Sequence, residues 1–205
     1  VVDEDTEGIT VRGGKMLGTG SIMANEILFA NIQPLKPGEE KYAISFAIPM
    51  NTKGLKIKPT RMVDSRNAAN LEFVDVSVPK DNLIGEEGKA SSILEEVLDI
   101  SRAAISAEML GSAIQAYQIT IDYLKEREQF GEKIGSFQAL QHRAAIMFSE
   151  LELCKSCVIE SITCFDEGGN DSQRLASLAK AKIGEVLHLI SNESVQMHGG
   201  VGVTD

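Results

Sequence analysis

The feature that most limits how this chain of 205 residues can fold is a change of hydrophobic period near Gly88. Beyond it, Ile93, Val97, Ile100, Ala104, Ala107, Gly111, Ile114, Ile121 and Leu124 recur mostly at three- and four-residue steps, which is one face of a long helix. Leu140, Ala144, Met147, Leu151, Cys154, Val158, Ile162 and Phe165 repeat the pattern within 136–166. Gly168-Gly169-Asn170 then breaks the chain. Asp171 or Ser172 is placed to cap a third helix with Leu175, Ala179, Ile183, Val186 and Ile190 on its apolar face. That helix is expected to stop near Gly199-Gly200. Helices of ~30 residues are roughly 45 Å long. Their stripes are wider than a coiled-coil seam, which predicts an up-and-down bundle.

Ahead of Gly88 the runs are short and strand-like: Gly8 to Gly13, Asn25 to Ala30, Tyr42 to Ile48 and Leu71 to Val78. Alternation in the last run puts Leu71, Phe73, Asp75 and Ser77 on one side and Glu72, Val74, Val76 and Val78 on the other. Turn chemistry at Pro37-Gly38, Asn51 to Gly54 and Asp64 to Asn67 separates the runs. Strands without intervening helices predict an antiparallel barrel or sandwich. The expected class is therefore α+β: a β-barrel or sandwich over residues 1–88, followed by a helical bundle over residues 89–205. No internal repeat or low-complexity segment interrupts this plan.

Composition narrows the function by exclusion. The formal net charge of −10 argues against a general nucleic-acid binder and against docking on an anionic membrane. No apolar run approaches the ~20 residues that span a bilayer. The opening VVDEDTEG is acidic where a signal peptide would be basic. Cys154, Cys157 and Cys164 do not read as a disulfide framework, so a reducing compartment is expected. Cys154-x-x-Cys157 lacks the second ligand pair of a structural zinc site, and no metal site is expected. His142 and His188 stand alone. The glycines of residues 13–20 lack the strand and helix that a Rossmann fingerprint requires.

Four local motifs go further. The first is Tyr123-Leu-Lys-Glu-Arg-Glu-Gln-Phe-Gly131, followed by Ile134-Gly-Ser-Phe137-Gln138 and Gln141. Arg127, near a helix end, can meet a pyrophosphate with a two-pronged charge-assisted bond. The helix starting near Phe137 offers free N–H groups to an anion. An ordinary helix–loop–helix with a solvated arginine is the competing reading. The second motif is Gln196-Met197-His198-Gly199-Gly200-Val-Gly202, which also serves as a helix C-cap. His198 there is placed either to touch a ligand or to make a structural hydrogen bond. The third runs from Asp64 through Pro79 to Asn82-Leu-Ile-Gly85-Glu-Glu-Gly88 and is read as structural. The fourth is Gly13-Gly-Lys-Met-Leu17-Gly-Thr19-Gly20.

Together these motifs closely resemble the acyl-CoA dehydrogenase family, most specifically over residues 61–205. The resemblance implies FAD as cofactor, reached by Leu17, Thr19, Arg127, Gln129, Phe130, Phe137, Gln138, Gln196, Met197, His198, Gly199 and Gly200. It also implies that the dinucleotide is shared across the interface of a homodimer or homotetramer. Leu17 departs from the family's tryptophan, which packs on the flavin, while Thr19 matches its threonine. An acyl-CoA thioester would be the substrate, with Asp99 and Arg102 near its entrance; a plain salt bridge is the competing role for Arg102. The electron acceptor would be an electron-transfer flavoprotein or another carrier, in the cytoplasm or the mitochondrial matrix. The resemblance also implies that a helical domain would precede Val1. A last bundle helix, carrying the catalytic glutamate in most members, would follow Asp205. At the alternative base position this chain has Ser101, and Glu108 on the same helix is a further candidate. Residues 8–55 look more like the oxygenase component of 4-hydroxyphenylacetate 3-monooxygenase. A flavin-dependent aromatic hydroxylase is therefore one alternative, and a non-catalytic fragment or interaction bundle another.

Overall fold

A computed structural model describes residues 1–30, 36–38, 43–63, 65–86 and 90–204, with the backbone alone over 90–92. Tyr42 and Asp64, used above to mark a strand start and a turn, lie outside the described residues. Contacts divide the chain into two compact units, Val1–Glu96 and Val97–Asp205.

The first unit holds β1 (Asp3–Glu4), β2 (Gly8–Thr19), β3 (Glu26–Ala30), β4 (Ser45–Pro49), β5 (Leu55–Arg61) and β6 (Asn67–Pro79). They form an antiparallel sheet of order β1-β2-β6-β5 and an antiparallel β3-β4 pair. Both sheets feed one core. Phe29 of β3 stacks on Phe46 of β4 at 4.7 Å, and Phe73 of β6 meets both rings edge-on at 5.8 and 6.2 Å. This is the expected antiparallel sheet architecture. Strand β5 has no counterpart in the sequence reading because Lys56, Lys58 and Pro59 mask its period. It lies at the sheet edge, where proline and lysine are tolerated, and both lysines reach Glu72 of β6, at 3.8 and 2.9 Å. That pairing, the Lys58 hydrogen bond foremost, holds the Glu72 carboxyl below its ordinary range.

Strand β6 corrects the expected alternation. Leu71 and Phe73 are buried, but so are Val76 and Val78, whereas Val74 and Asp75 are exposed. The register explains it: Val11 pairs with Val76 and Gly13 with Phe73, so two steps on β2 answer three on β6. The extra residue is a β-bulge at Asp75, which sits at φ 48° and returns the strand's second half to the core face. Its carboxylate receives the Arg12 guanidinium at 2.5 Å. A second bulge, between Lys15 and Gly18 of β2, puts Leu17 at φ 55° with its N–H donating to Asn70 Oδ1 at 3.1 Å.

The helices are α1 (Ala90–Glu126), α2 (Gln138–Asp166) and α3 (Ser172–His198), close to the expected bounds. Leu110, Ala113, Leu124, Met147, Leu151, Cys154, Val158, Ala179, Ile183, Val186 and Ile190 form one core across the three. The α2–α3 connection, residues 167–171, is short, while residues 127–137 between α1 and α2 carry structure of their own. The stripe expected on α1 needs correction. Val97, Ile100 and Ile114 are exposed, and the inward line is Asp99, Ala103, Ser106, Leu110, Ala113, Thr120 and Leu124. Its hydroxyls reach those depths by returning their hydrogen bonds to the helix: Ser106 Oγ to the Arg102 carbonyl at 2.6 Å and Thr120 Oγ1 to that of Ala116 at 2.8 Å. Asp171 occupies the N-cap of α3 without capping it. Its carboxylate instead accepts from Arg174 at 3.1 Å, which lowers its pKa. The helix ends at Gly199, φ 62°, where glycine was expected to stop it.

Candidate functional site

The site is built where α1 ends and α3 ends. After Glu126 the chain makes a small hairpin, β7 (Glu128–Gln129) with β8 (Glu132–Lys133). Its two-residue loop is Phe130-Gly131, at φ 59° and 85°. Two successive positive φ values are the mark of the primed turns that match strand twist. Glycine adopts this freely; a phenylalanine is strained there. The hairpin is tied down at its base. Ile134 N–H donates to the Arg127 carbonyl at 2.9 Å, and Lys133 Nζ donates to that of Glu126 at 3.0 Å. Lys133 also pairs with Glu128 at 2.6 Å, a bond that lowers the Glu128 pKa. Gly135 fits so closely under α1 that a Cβ would lie 2.8 Å from the Leu124 carbonyl oxygen. Phe130 is left 91% exposed, its ring edge-on to Phe137 at 6.1 Å. The exposed Arg127 side chain makes no hydrogen bond or ion pair with any described residue.

The opposite wall is the glycine bend. A Cβ at Gly202 would lie 2.6 Å from the Val195 carbonyl oxygen, so the bend folds back tightly on α3. His198 is fixed three ways. Its ring stacks on Tyr123 at 4.3 Å, its Nδ1 lies 2.7 Å from the Ser194 carbonyl, and its own carbonyl accepts from Tyr123 Oη at 3.5 Å. A Cβ at Gly199 or Gly200 would meet nothing within 4 Å, so this stretch of backbone is bare to whatever approaches it.

Between the walls lies an open groove of about 560 Å³. It brings together all but one of the cofactor-binding residues expected in this unit. Arg127, Gln129, Phe130 and Phe137 line one side, and Gln196, Met197, His198, Gly199 and Gly200 the other. Gln138 opens α2 and does not line it. Tyr123, Ile134, Leu140, Val201 and Thr204 do line it and were not singled out from sequence. Tyr123 was findable: it lies four residues before Arg127, on the same helical face. The chemistry fits a ligand with an anionic part and flat apolar parts. An arginine with no counter-ion among the described residues meets the anion, the exposed Phe130 and half-buried Phe137 rings meet the flat groups, and bare glycine backbone allows close approach.

The other expected residues are not among those that line this groove. Leu17 and Thr19 are exposed at the end of β2, in the first unit, with Thr19 Oγ1 bonding the Leu17 carbonyl at 3.5 Å. On α1, Asp99 is buried and accepts from Arg102 Nη1, the salt bridge that competed with a substrate role. Ser101 Oγ donates to the Val97 carbonyl at 2.7 Å, and Glu108 is exposed. No group of His, Cys, Asp and Glu among the described residues could hold a metal ion.

Residues 91–205 match the family model described as acyl-CoA dehydrogenase, C-terminal domain. The chain belongs to the acyl-CoA dehydrogenase family. Residues 1–97 match a second model, 4-hydroxyphenylacetate 3-hydroxylase N terminal, in line with the mixed resemblance of residues 8–55. Among acyl-CoA dehydrogenase relatives, the rat mitochondrial short/branched chain specific enzyme is 31% identical over 206 residues, covering 98% of this chain and 47% of that protein. The caffeyl-CoA reductase-Etf complex subunit CarC of Acetobacterium woodii is 38% identical over 128 residues, covering 62% of this chain and 34% of that one. The crystal structure of acyl-CoA dehydrogenase from Geobacillus kaustophilus superposes with a TM-score of 0.87 at 29% identity, over 98% of this chain and 54% of that one. The chain thus spans about half or less of the length of these family members. No helix among the described residues is long and apolar enough to cross a membrane.

Proposed function

We propose that this acyl-CoA dehydrogenase family chain carries the dinucleotide-binding part of an FAD-dependent enzyme that desaturates an acyl-CoA thioester between Cα and Cβ. One observation carries the reading: Arg127, with no counter-ion among the described residues, and the bare Gly199-Gly200 backbone line one groove. In this reading Arg127 holds the pyrophosphate through charge-assisted bonds. Phe130 and Phe137 give apolar faces to the flat groups, while the Tyr123–His198 stack keeps the glycine bend in place. Bound FAD would supply the hydride acceptor. Gln129 and Gln196 add polar contacts at the groove rim. Asp99 orients Arg102, which acts near the acyl-CoA entrance.

Ser101 does not serve as the proton-abstracting base. Its hydroxyl is engaged with its own helix, and serine without a partner base is far too weak for a C–H proton. Glu108 is the carboxylate on α1 that remains as a candidate. The exposed Ile100, Ile105, Ile114 and Ile119 of the same helix, spread around its outer half, support its burial in a homodimer or homotetramer. The likeness to a subunit of an Etf complex supports electron-transfer flavoprotein as acceptor, in the cytoplasm or the mitochondrial matrix.

The test is the visible spectrum of the FAD-reconstituted chain before and after anaerobic acyl-CoA; bleaching of the flavin band supports desaturation. Arg127→Met should weaken FAD binding about 10- to 100-fold, the loss of one charge-assisted interaction of roughly 1.5–3 kcal/mol. Unchanged affinity would remove Arg127 from the cofactor site. The hydroxylase-type match over residues 1–97 favours a second reading, a flavin-dependent aromatic hydroxylase. That enzyme would consume oxygen with a phenol and show no bleaching with acyl-CoA. A chain that stays colourless with FAD would be a non-catalytic bundle.

A further inference from the structure

The groove at the ends of α1 and α3 is short of positive charge for the ligand it is read to hold. Arg127 is the fixed cation among the residues that line it, and no carboxylate lines it. A pyrophosphate diester is a dianion, so one arginine leaves part of its charge unmatched. His198 is the remaining lining residue that can become a cation near neutral pH. Its geometry fixes which nitrogen would do so. Nδ1 lies 2.7 Å from the Ser194 carbonyl oxygen, which only accepts, so Nδ1 holds a proton whether the ring is neutral or charged. Nε2 makes no hydrogen bond or ion pair with any described residue. It accepts a hydrogen bond on the neutral ring and donates one on the charged ring.

No contact has to break for that change. The ring remains stacked on Tyr123 at 4.3 Å, and the His198 carbonyl still accepts from Tyr123 Oη at 3.5 Å. The position tolerates a charge as well: His198 closes α3, at the negative end of the helix, with an aromatic face beside it. The groups that share the groove with it are few. Helix α1 contributes Tyr123 and the hairpin region Arg127, Gln129 and Phe130, while Phe137 and Leu140 come from the start of α2. The bend Gly199–Val203 has no titratable group, and Glu128 and Lys133 of the hairpin pair with each other without lining the groove. A charged His198 and Arg127 repel each other in one groove, and an anion bound to both turns that repulsion into two attractions. We propose that His198 takes up a proton at Nε2 when a pyrophosphate diester binds, and so supplies the second cation of the groove. The proposal rests on the flavin reading for the identity of the ligand and adds that its affinity is tied to pH. The diester keeps its charge near neutral pH, so affinity is greatest on the acid side. It falls as pH rises through the histidine range, about 6.5 for a free side chain.

The test is FAD titrated into the full chain by calorimetry, in two buffers of different ionisation enthalpy. Near neutral pH the buffer dependence should report proton uptake on binding. The Kd for FAD should rise about tenfold or more between about pH 6 and about pH 8.5, the loss of one charge-assisted bond. His198→Gln should bind FAD at every pH with the affinity that wild type shows at high pH. The chain has three histidines, so the unaltered protein also gives a direct reading. FAD should move the Nε2 NMR signal of His198 to its protonated position and leave His142 and His188, which do not line the groove, unmoved. FAD that binds without proton uptake, or with His198 Nε2 unprotonated, overturns the proposal and leaves the flavin reading standing. A His198→Gln variant with the wild-type pH profile assigns the titration to another group and overturns it too. FAD that binds at no pH overturns both.

Discussion

Phe130 is the residue at which the strain in the candidate site is concentrated, and replacing it separates strain from packing. At φ 59° an L-residue pays about 1–2 kcal/mol for the left-handed region, whereas asparagine enters it readily. The edge-on contact with Phe137 opposes this; such pairs contribute about 0.5–1.5 kcal/mol beyond burial when buried. Phe130 is 91% exposed, so its share is taken at the low end. Phe130→Asn should therefore stabilise the helical unit by about 0.5–1 kcal/mol. With an m-value of about 2 kcal/mol/M, the urea midpoint should rise by roughly 0.3–0.5 M. Phe130→Ala keeps the Cβ clash and loses the ring, so it should fall below wild type, about 1 kcal/mol under the asparagine variant. The chain has no tryptophan, so circular dichroism at the helix band is the assay. Equal midpoints for the alanine and asparagine variants would show that the turn holds no strain. A lower midpoint for Phe130→Asn than for wild type would show that the ring is a packing residue.

Three further outcomes follow from the geometry. Asp75→Val restores an unbroken apolar run but places a β-branched residue at φ 48°. It should destabilise the first unit by about 1–3 kcal/mol, where Asp75→Gly should be nearly neutral, and equal urea midpoints would refute the bulge. Lys182 bonds Glu150 at 2.5 Å, and that bond raises its pKa. The raised value means stability that is complete below the ordinary lysine pKa of about 10.4 and is lost as pH climbs through the folded value. The melting-temperature gap between wild type and Glu150→Gln should therefore shrink on the alkaline side; a gap that widens there would reverse the assignment. Burial pushes the Cys154 thiol up, and its side chain is 0% exposed. Among the three cysteines it should be the last labelled by a thiol reagent in the native state, and labelling as fast as Cys157 would contradict its placement.

What sequence reveals here depends on which physical signal each element obeys. Helix α3 and most of α2 were legible in position and in face, because Met147, Leu151, Val158, Ile183, Val186 and Ile190 are both apolar and buried, whereas Ile162, expected on the same stripe, is exposed and Ser161 is buried beside it. Helix α1 was legible in position but not in face. Its inward line is small and polar (Asp99, Ser106, Thr120), and hydroxyls bonded to their own helix carry no hydrophobic signal, while isoleucines point outward. Strand β6 was legible only in part, since one inserted residue inverts the meaning of alternation for everything after it. The groove is a different case. Arg127 and Gly199 are recognisable as local motifs, but no periodicity brings positions so far apart in sequence to one site.

What joins them is the way two helix ends are finished. Gly135 lets the hairpin fold in beneath α1 at Leu124, and Gly202 lets the bend fold back on Val195. Tyr123 then clamps the two ends by stacking on His198. Each contact is short-ranged, and each needs the absence of a side chain or one flat ring. The groove between Arg127 and Gly199 is thus a consequence of termini rather than of helix faces. It follows that Tyr123→Ala should open the groove and weaken FAD binding while Arg127 itself stays intact. The ring pair contributes about 0.5–1.5 kcal/mol, which converts to a loss of roughly two- to tenfold. A variant that bound FAD as wild type does would show that α1 and α3 hold the groove without the clamp.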